Sequence, residues 1–382
     1  MQEPVSVVEA ARGLVERPSR HKVVSVYLDL DPERFATPPA RASQIRSLID
    51  EATKDVEGDS SLGHEEKSAL REDLERVSSY LRSRQAPFQG ARGLAVFSSV
   101  RDGLFETIQL RKPVRARVVI DRRPYVEPLV DAAEQRRWCV VLVNRRAMRL
   151  FAGPADHVEE RQRVEENVHG QHDQGGWSQA SYERSVEKDA GDHLRRVADL
   201  LRRHFAREPF DRLALGGPPE IVPRLEAVLA DELRALLVPG RSIGDLMAAS
   251  DEQVRGAIAQ LVEEDEKRHE RGALDRLAAG IGSGGRAVGG PEATLAALAE
   301  RRVGTLLLEP MFDGLGARCP TCGLLSEHDH DRCPADGGRL EPLEHLREGV
   351  VEAALGQDAE VLVVRRYPDL GPHRGIGALL RF

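Results

Sequence analysis

Long apolar runs are missing from this sequence. Nowhere in its 382 residues is there anything near the roughly 20 consecutive apolar residues of a membrane helix. The first residues hold no apolar block of signal-peptide length. A cytoplasmic protein with no membrane partner is therefore expected. Net positive charge is missing too: 55 Lys and Arg stand against 63 Asp and Glu, a net charge of −8. That balance argues against a protein that coats nucleic acid by bulk attraction, while leaving room for a basic face on an acidic molecule. Cysteine is scarce. Of four cysteines, Cys319, Cys322 and Cys333 fall within fifteen positions, and in a cytosolic protein such clustering points to metal rather than disulfides. There is no internal repeat, and low complexity is confined to residues 282–290.

What is present is a globular composition, 41% hydrophobic and 31% charged, in a chain long enough for two or three domains. From 1 to 130, Val23–Leu30 reads as a strand ending at Asp31-Pro32. Ile45, Leu48, Ile49, Ala52 and Val56 recur at helical spacing, as do Leu70, Leu74, Val77 and Leu81, with polar Gly58–Gly63 between them. Gly93–Ser98 and Arg115–Ile120 resume extended structure.

From 131 to 246, Trp138–Val143 and Met148–Phe151 form a hairpin around Asn144-Arg145-Arg146. A polar stretch, His169–Gln179, precedes a long amphipathic helix carrying Val186, Ala190, Leu194, Val197, Leu201 and Phe205 on one face. Strand Leu213–Leu215, the turn Gly216-Gly217-Pro218-Pro219 and a helix over 220–236 follow. From 247 to 382 come a charged helix ending near Gly282, a helix from Pro291, strand Val303–Leu308, a cysteine-bearing insertion over 317–342, a helix around 343–355 and strand Glu360–Val364. The expected fold class is α/β: three domains of mixed α/β sandwiches (1–130, 131–246 and 247–382), with a zinc-ribbon-like insertion in the last.

The stretch His169–Gln179 (HGQHDQGGWSQ) offers amides, two histidines, a hydroxyl and flexible glycines just before a helix. Hydrolysis of an activated ester such as peptidyl-tRNA needs a water in line with the carbonyl and a donor for the developing oxyanion. A neutral glutamine supplies both, and glycines let the backbone enter a narrow space without Cβ clashes. The bland alternatives are a solvated surface loop or a metal pair from His169 and His172.

The passage from Gly175-Gly176 through Gln179-Ala180-Ser181-Tyr182-Glu183-Arg184 to Leu194-Arg195-Arg196-Val197-Ala198 resembles the Gly-Gly-Gln loop and following helix of archaeal and eukaryotic class I release factors. Trp177 and Ser178 stand between the glycines and Gln179. That Gly-x-x-Gln form resembles the Vms-type peptidyl-tRNA hydrolases of ribosome quality control and their bacterial relatives. Further stretches are similar in order and spacing: Gly93–Phe97, Tyr125–Phe151, Leu213–Pro219, Gly289–Leu295 with Val303–Leu308, and the ending Gly375-Ile376-Gly377-Ala378-Leu379-Leu380-Arg381-Phe382. The resemblance implies a ribonuclease-H-like central sandwich, Gln179 as the catalytic position, and Gly175, Gly176 and Ser178 as loop residues beside it. The family's codon-reading loops are not recognisable. Ala42-Ser43-Gln44-Ile45-Arg46-Ser47 is superficially similar to an Asn-Ile-Lys-Ser loop, but Ile45 opens a helical periodicity. Rescue of stalled ribosomes is therefore expected rather than stop-codon termination.

Cys319-Pro320-Thr321-Cys322-Gly323 and Cys333-Pro334-Ala335-Asp336-Gly337 look like two zinc-ribbon knuckles. Tetrahedral zinc takes four ligands. Three are cysteines, and Asp336 stands where the fourth would be, with His328 and His330 as alternatives in the intervening loop. A degenerate ribbon that binds no metal is the competing reading. Cys139, in an apolar strand, is expected in the core. A closed site does no chemistry, so the expected Zn2+ is structural.

Arg184, Arg195, Arg196, Arg202, Arg203 and His204 lie on or near the helix after Gln179. With Trp177, the first three are the expected RNA contacts, against the plain reading of a solvated helix face. The expected function is ribosome-dependent peptidyl-tRNA hydrolysis by a monomer, with the large-subunit catalytic centre, peptidyl-tRNA and ribosomal RNA as partners. A non-catalytic ribosome-binding factor of the Pelota or hibernation kind, and a tRNA nuclease, are the alternatives.

Overall fold

The computed structural model describes residues 7–17, 19–35, 37–83, 86, 88, 90–133, 136–155, 157–165, 179–282, 285–327 and 331–382, with the backbone alone at 32, 133, 179–186 and 239–242. Several β-sheets with helices against them make a mixed α/β protein. Its contacts group into two units, Gln135–His269 and Met1–Glu134 with Glu270–Phe382. Among the described residues no helix is long and apolar enough to cross a membrane.

The unit Gln135–His269 is built on a five-stranded sheet. Its order is Glu159–Glu165, Ala147–Pro154, Arg137–Val143, Arg212–Gly216, Leu237–Ser242. The first two pairings are antiparallel, and the last two are parallel. Strand side chains alternate between faces. Cys139, Val141 and Val143 accordingly meet Leu194, Val197, Ala198 and Leu201 of the helix Gln179–Arg207. Trp138, Val140 and Leu142 meet Val254, Ile258, Leu261 and Val262 of the helix Asp251–Gly282. Both faces are covered, which is why this strand is apolar at every position from Trp138 to Val143. Cys139 is buried in that core as expected.

Several elements differ from the sequence reading, among them the helix Val7–Glu16 and the strand Leu237–Ser242, which it does not contain. The expected helix over 220–236 is two, Val222–Val228 and Asp231–Arg234, interrupted where Leu229 turns extended. Strands Leu104–Leu110 and Glu159–Glu165 were not anticipated. The second is almost wholly exposed along the sheet edge, so it carries no apolar period to read.

Arg149 sits in the same sheet with only 2% of its side chain exposed. Its guanidinium donates to Glu160 at 2.6 Å and to the Ala249 carbonyl at 2.9 Å, also reaches Asp251, and stacks over Phe151. Arg149→Ala empties this buried site and removes its hydrogen bonds and its packing on Phe151, so it is expected to cost on the order of 2–5 kcal/mol in denaturant melts. Hydrogen bonds from Arg163, and then Arg149, hold Glu160 down at about 2. A depressed folded value means this stabilisation is complete above the unfolded carboxylate range, roughly 4.3. It is lost as pH falls toward 2. The stability gap between wild type and Glu160→Gln should therefore close between about pH 5 and 2.

In the other unit, a four-stranded antiparallel sheet runs Leu104–Leu110, Gly93–Ser99, Val23–Asp29, Arg117–Asp121. The helices Pro38–Gly58 and His64–Arg82 cover one face through Ile45, Ile49, Ala52, Val56, Leu70, Leu74, Val77 and Leu81. Thr37 caps the first, accepting from the Ala40 N–H at 3.4 Å, so Ala42–Ser47 is helix and Ile45 points into the core. Tyr27, Ala95 and Phe97 face the other way. They share one hydrophobic cluster with Val303, Leu306, Leu308, Val350 and Ile376 from the C-terminal part of the unit. A second sheet there, Ala287–Gly289, Ile376–Leu380, Val303–Leu308, Glu360–Val363, is antiparallel except for its last pair. The cysteine-bearing insertion adds a small sheet of Gly316–Arg318, Leu325–Ser326 and Glu341–Leu343.

Candidate functional site

Two regions carry chemistry. The first is the helix Gln179–Arg207, whose amphipathic pattern holds it on the sheet by Ala190, Leu194, Val197 and Leu201. Gln179 is the first of its described residues. Gly175, Gly176, Trp177 and Ser178 lie outside the described residues, as do His169 and His172, and of Gln179 and Arg184 the backbone alone is described. On the solvent face stand Arg195, Arg196, Arg202, Arg203 and Arg207. Arg195 is ion-paired with Asp192 one turn back. Glu187 reaches across to Arg224 at 2.8 Å, an interhelix pair that periodicity within one helix does not suggest. His204 departs from the basic row. It stacks against Phe210, and burial pushes its imidazole below the usual value, so it packs rather than offering charge.

The second region is the pair of knuckles, and here the structure brings the sequence-predicted residues together. One ligand atom each from Cys319, Cys322, Cys333 and Asp336 lie within 4.8 Å of one another. Each knuckle is a tight turn: the Gly323 N–H donates to the Cys319 carbonyl at 2.9 Å, and the Gly337 N–H to the Cys333 carbonyl at 2.9 Å. Both glycines have left-handed backbones, φ +78° and +72°, a region glycine enters without steric cost. The turns aim backbone N–H groups at sulfur, Cys322 at Cys319 Sγ (3.5 Å) and Ala335 at Cys333 Sγ (3.4 Å).

The spacing suits a tetrahedral ion. Zinc–sulfur bonds of about 2.3 Å and zinc–oxygen bonds of about 2.0 Å imply sulfur–sulfur edges near 3.8 Å and sulfur–oxygen edges near 3.5 Å. Cys322 and Cys333 sulfurs are 3.5 Å apart, and the Asp336 oxygens stand 3.2 and 3.5 Å from Cys319 Sγ. Asp336 is held ready by the Gly338 N–H at 2.9 Å, and that hydrogen bond, with those from the thiols, lowers its carboxyl to about 2. For Cys322 the Leu324 N–H favours the thiolate, but desolvation and the neighbouring Cys319, Cys333 and Asp336 outweigh it and push the thiol up to about 12. Crowded anions repel one another, and a divalent cation relieves that repulsion. The four residues can hold a metal ion. His328 and His330, the alternative ligands, lie outside the described residues.

A contact that sequence reasoning missed fixes the base of the knuckles. Arg318, beside Cys319, bonds Glu352 of the helix Leu346–Leu355 at 2.7 Å, and Arg123 reaches the same carboxylate. No local spacing signals it, because the three residues are far apart in sequence.

A family model described as "Bacterial archaeo-eukaryotic release factor family 10" matches residues 124–267. The matched segment contains the five-stranded sheet and the helix after Gln179, and the model it matches is one of bacterial members of the archaeo-eukaryotic release factor superfamily. Within the superfamily, the match is to the tenth of its bacterial families. No curated protein matches the chain. Among solved structures, the chain is similar to an archaeal translation termination factor, at 19% identity over 99% of each chain and a TM-score of 0.27. It is also similar to Pelota from Archaeoglobus fulgidus, at 16% identity over 76% of this chain and 79% of that one, with a TM-score of 0.29. A third is the archaeal Pelota in a model of ribosome-bound Pelota and ABCE1, at 15% identity over 76% and 77% and a TM-score of 0.39.

Proposed function

We propose that this protein is a ribosome-dependent peptidyl-tRNA hydrolase that rescues stalled ribosomes. The observation that carries the reading is the position of Gln179. It is the first described residue of the long sheet-bound helix in the segment that matches the family model, and it follows directly on Gly175-Gly176-Trp177-Ser178 in the sequence. The first N–H groups of a helix lack intrahelical partners and favour negative charge. A water oriented by the Gln179 side chain attacks the ester carbonyl carbon. Backbone N–H groups at the helix start stabilise the oxyanion. The carbonyl-to-ribose C–O bond then breaks, and the tRNA 3′ oxygen leaves as a hydroxyl carrying the water's proton. Gly175 and Gly176 let the loop enter a narrow space, Ser178 and Trp177 shape it, and the large ribosomal subunit completes the site.

In this reading Trp177, Arg184, Arg195 and Arg196 contact tRNA or ribosomal RNA, the arginines by phosphate pairing. The cluster Cys319, Cys322, Cys333 and Asp336 binds Zn2+ as a structural ion that shapes a contact tip. The protein acts as a cytoplasmic monomer, and the three-part division 1–130, 131–246 and 247–382 belongs to the same proposal. The test is incubation of the purified protein with stalled ribosome–nascent-chain complexes. Release of the nascent peptide from tRNA is expected. Stable binding to the complexes without release contradicts hydrolysis and identifies a Pelota-like or hibernation-type binding factor, the reading that the extra Trp177-Ser178 pair favours.

A further inference from the structure

The three clustered cysteines are not equivalent. Cys322 is exposed, whereas Cys319 and Cys333 are buried. Cys319 Sγ faces Asp336, 3.2 and 3.5 Å from its two oxygens. Cys322 Sγ faces Cys333 Sγ at 3.5 Å, a contact that joins one knuckle to the other. We propose that Cys322 and Cys333 are an oxidation site for low-molecular-weight disulfides, closing a bond between the knuckles and releasing the metal. The inference rests on the reading of these residues as zinc ligands.

The step balances as thiol–disulfide exchange. The exposed Cys322 sulfur attacks one sulfur of glutathione disulfide, forming a mixed disulfide and expelling one glutathione thiolate. The Cys333 sulfur then attacks Cys322 Sγ and expels the second. Two cysteine thiols are oxidised to one disulfide, one glutathione disulfide is reduced, and two glutathione molecules leave carrying the two protons. To reach bonding distance the sulfurs need approach by only about 1.5 Å. Cys319 and Asp336 then remain, two ligands where a closed structural zinc site uses four, so the ion departs. Pairing within one knuckle, Cys319 with Cys322, is disfavoured because Cys319 Sγ is engaged by both Asp336 oxygens.

The experiment uses the full chain, as purified and after metal stripping, treated with oxidised glutathione. Zinc release is followed with a chromogenic chelator, and disulfides by non-reducing peptide mapping. Loss of two free thiols, a Cys322–Cys333 linkage, a still-alkylatable Cys319 and release of about one equivalent of zinc are expected, all reversed by dithiothreitol. Cys322→Ser should abolish the linkage, whereas Cys139→Ser should leave it intact. A Cys319–Cys322 linkage, a persistent glutathione adduct or unreactive thiols in zinc-loaded protein overturn the proposal. If purified protein holds no zinc yet the Cys322–Cys333 bond forms, the oxidation site stands and the metal reading falls.

Discussion

Replacing Gln179 with alanine is expected to slow peptide release from stalled complexes by about 100- to 1,000-fold, the loss typical of removing one group that places water or stabilises an oxyanion. The fold predicts that the loss is confined to chemistry. Among the described side chains, the buried face of the helix runs through Ala190, Leu194, Val197 and Leu201, about three turns along the chain from Gln179. Thermal stability and ribosome binding should therefore match wild type, while the single-turnover release rate falls. An Asn at this position keeps the amide but shortens the reach by one methylene, and it should fall between the two. If the alanine variant releases peptide at the wild-type rate, Gln179 is not catalytic.

Loss of one knuckle sulfur is the second large effect. Cys319 is fully buried and bridges to Asp336, and its insertion has a small core of Ala317, Cys319, Cys333 and Leu340. So little apolar surface cannot order the segment by itself, and metal binding energy becomes folding energy, about 10 kcal/mol or more for structural zinc in small domains. Cys319→Ser should lose about one equivalent of zinc by elemental analysis. Proteolysis in the 317–342 insertion should accelerate by orders of magnitude. The sheet of the unit Gln135–His269 should melt as before, because its described core clusters are built from that unit's own residues. Retention of zinc by the variant would remove Cys319 from the ligand set.

Both regions were partly legible in the sequence, for different reasons. The helix after Gln179 announces itself because Ala190, Leu194, Val197 and Leu201 return every three or four residues. The strand Trp138–Val143 does so because burial on two faces leaves it no polar position. The knuckles are legible because a short turn between metal ligands demands glycine at a left-handed position, which leaves Gly323 and Gly337 at matching offsets. Other features leave no local trace. Strand Glu159–Glu165 lies exposed at an edge, and strand Leu237–Ser242 contains Pro239 and Gly240. Ile221, Leu225, Leu229 and Leu233 keep helical spacing across the break at Leu229-Ala230, because the chain restarts a helix in phase. The Arg149 and Arg318 pairings depend on chain segments brought together only by the fold.

The most direct measurement is the state of the tRNA after a single turnover on a stalled complex, read by sequencing its 3′ end. Ester hydrolysis predicts free peptide and a full-length tRNA with an intact 3′ terminus, in equal amounts, and both products slowed together by about 100- to 1,000-fold with the Gln179→Ala variant. Peptide still attached to nucleotides, together with a shortened tRNA, would contradict hydrolysis and assign the protein to nucleolytic cleavage.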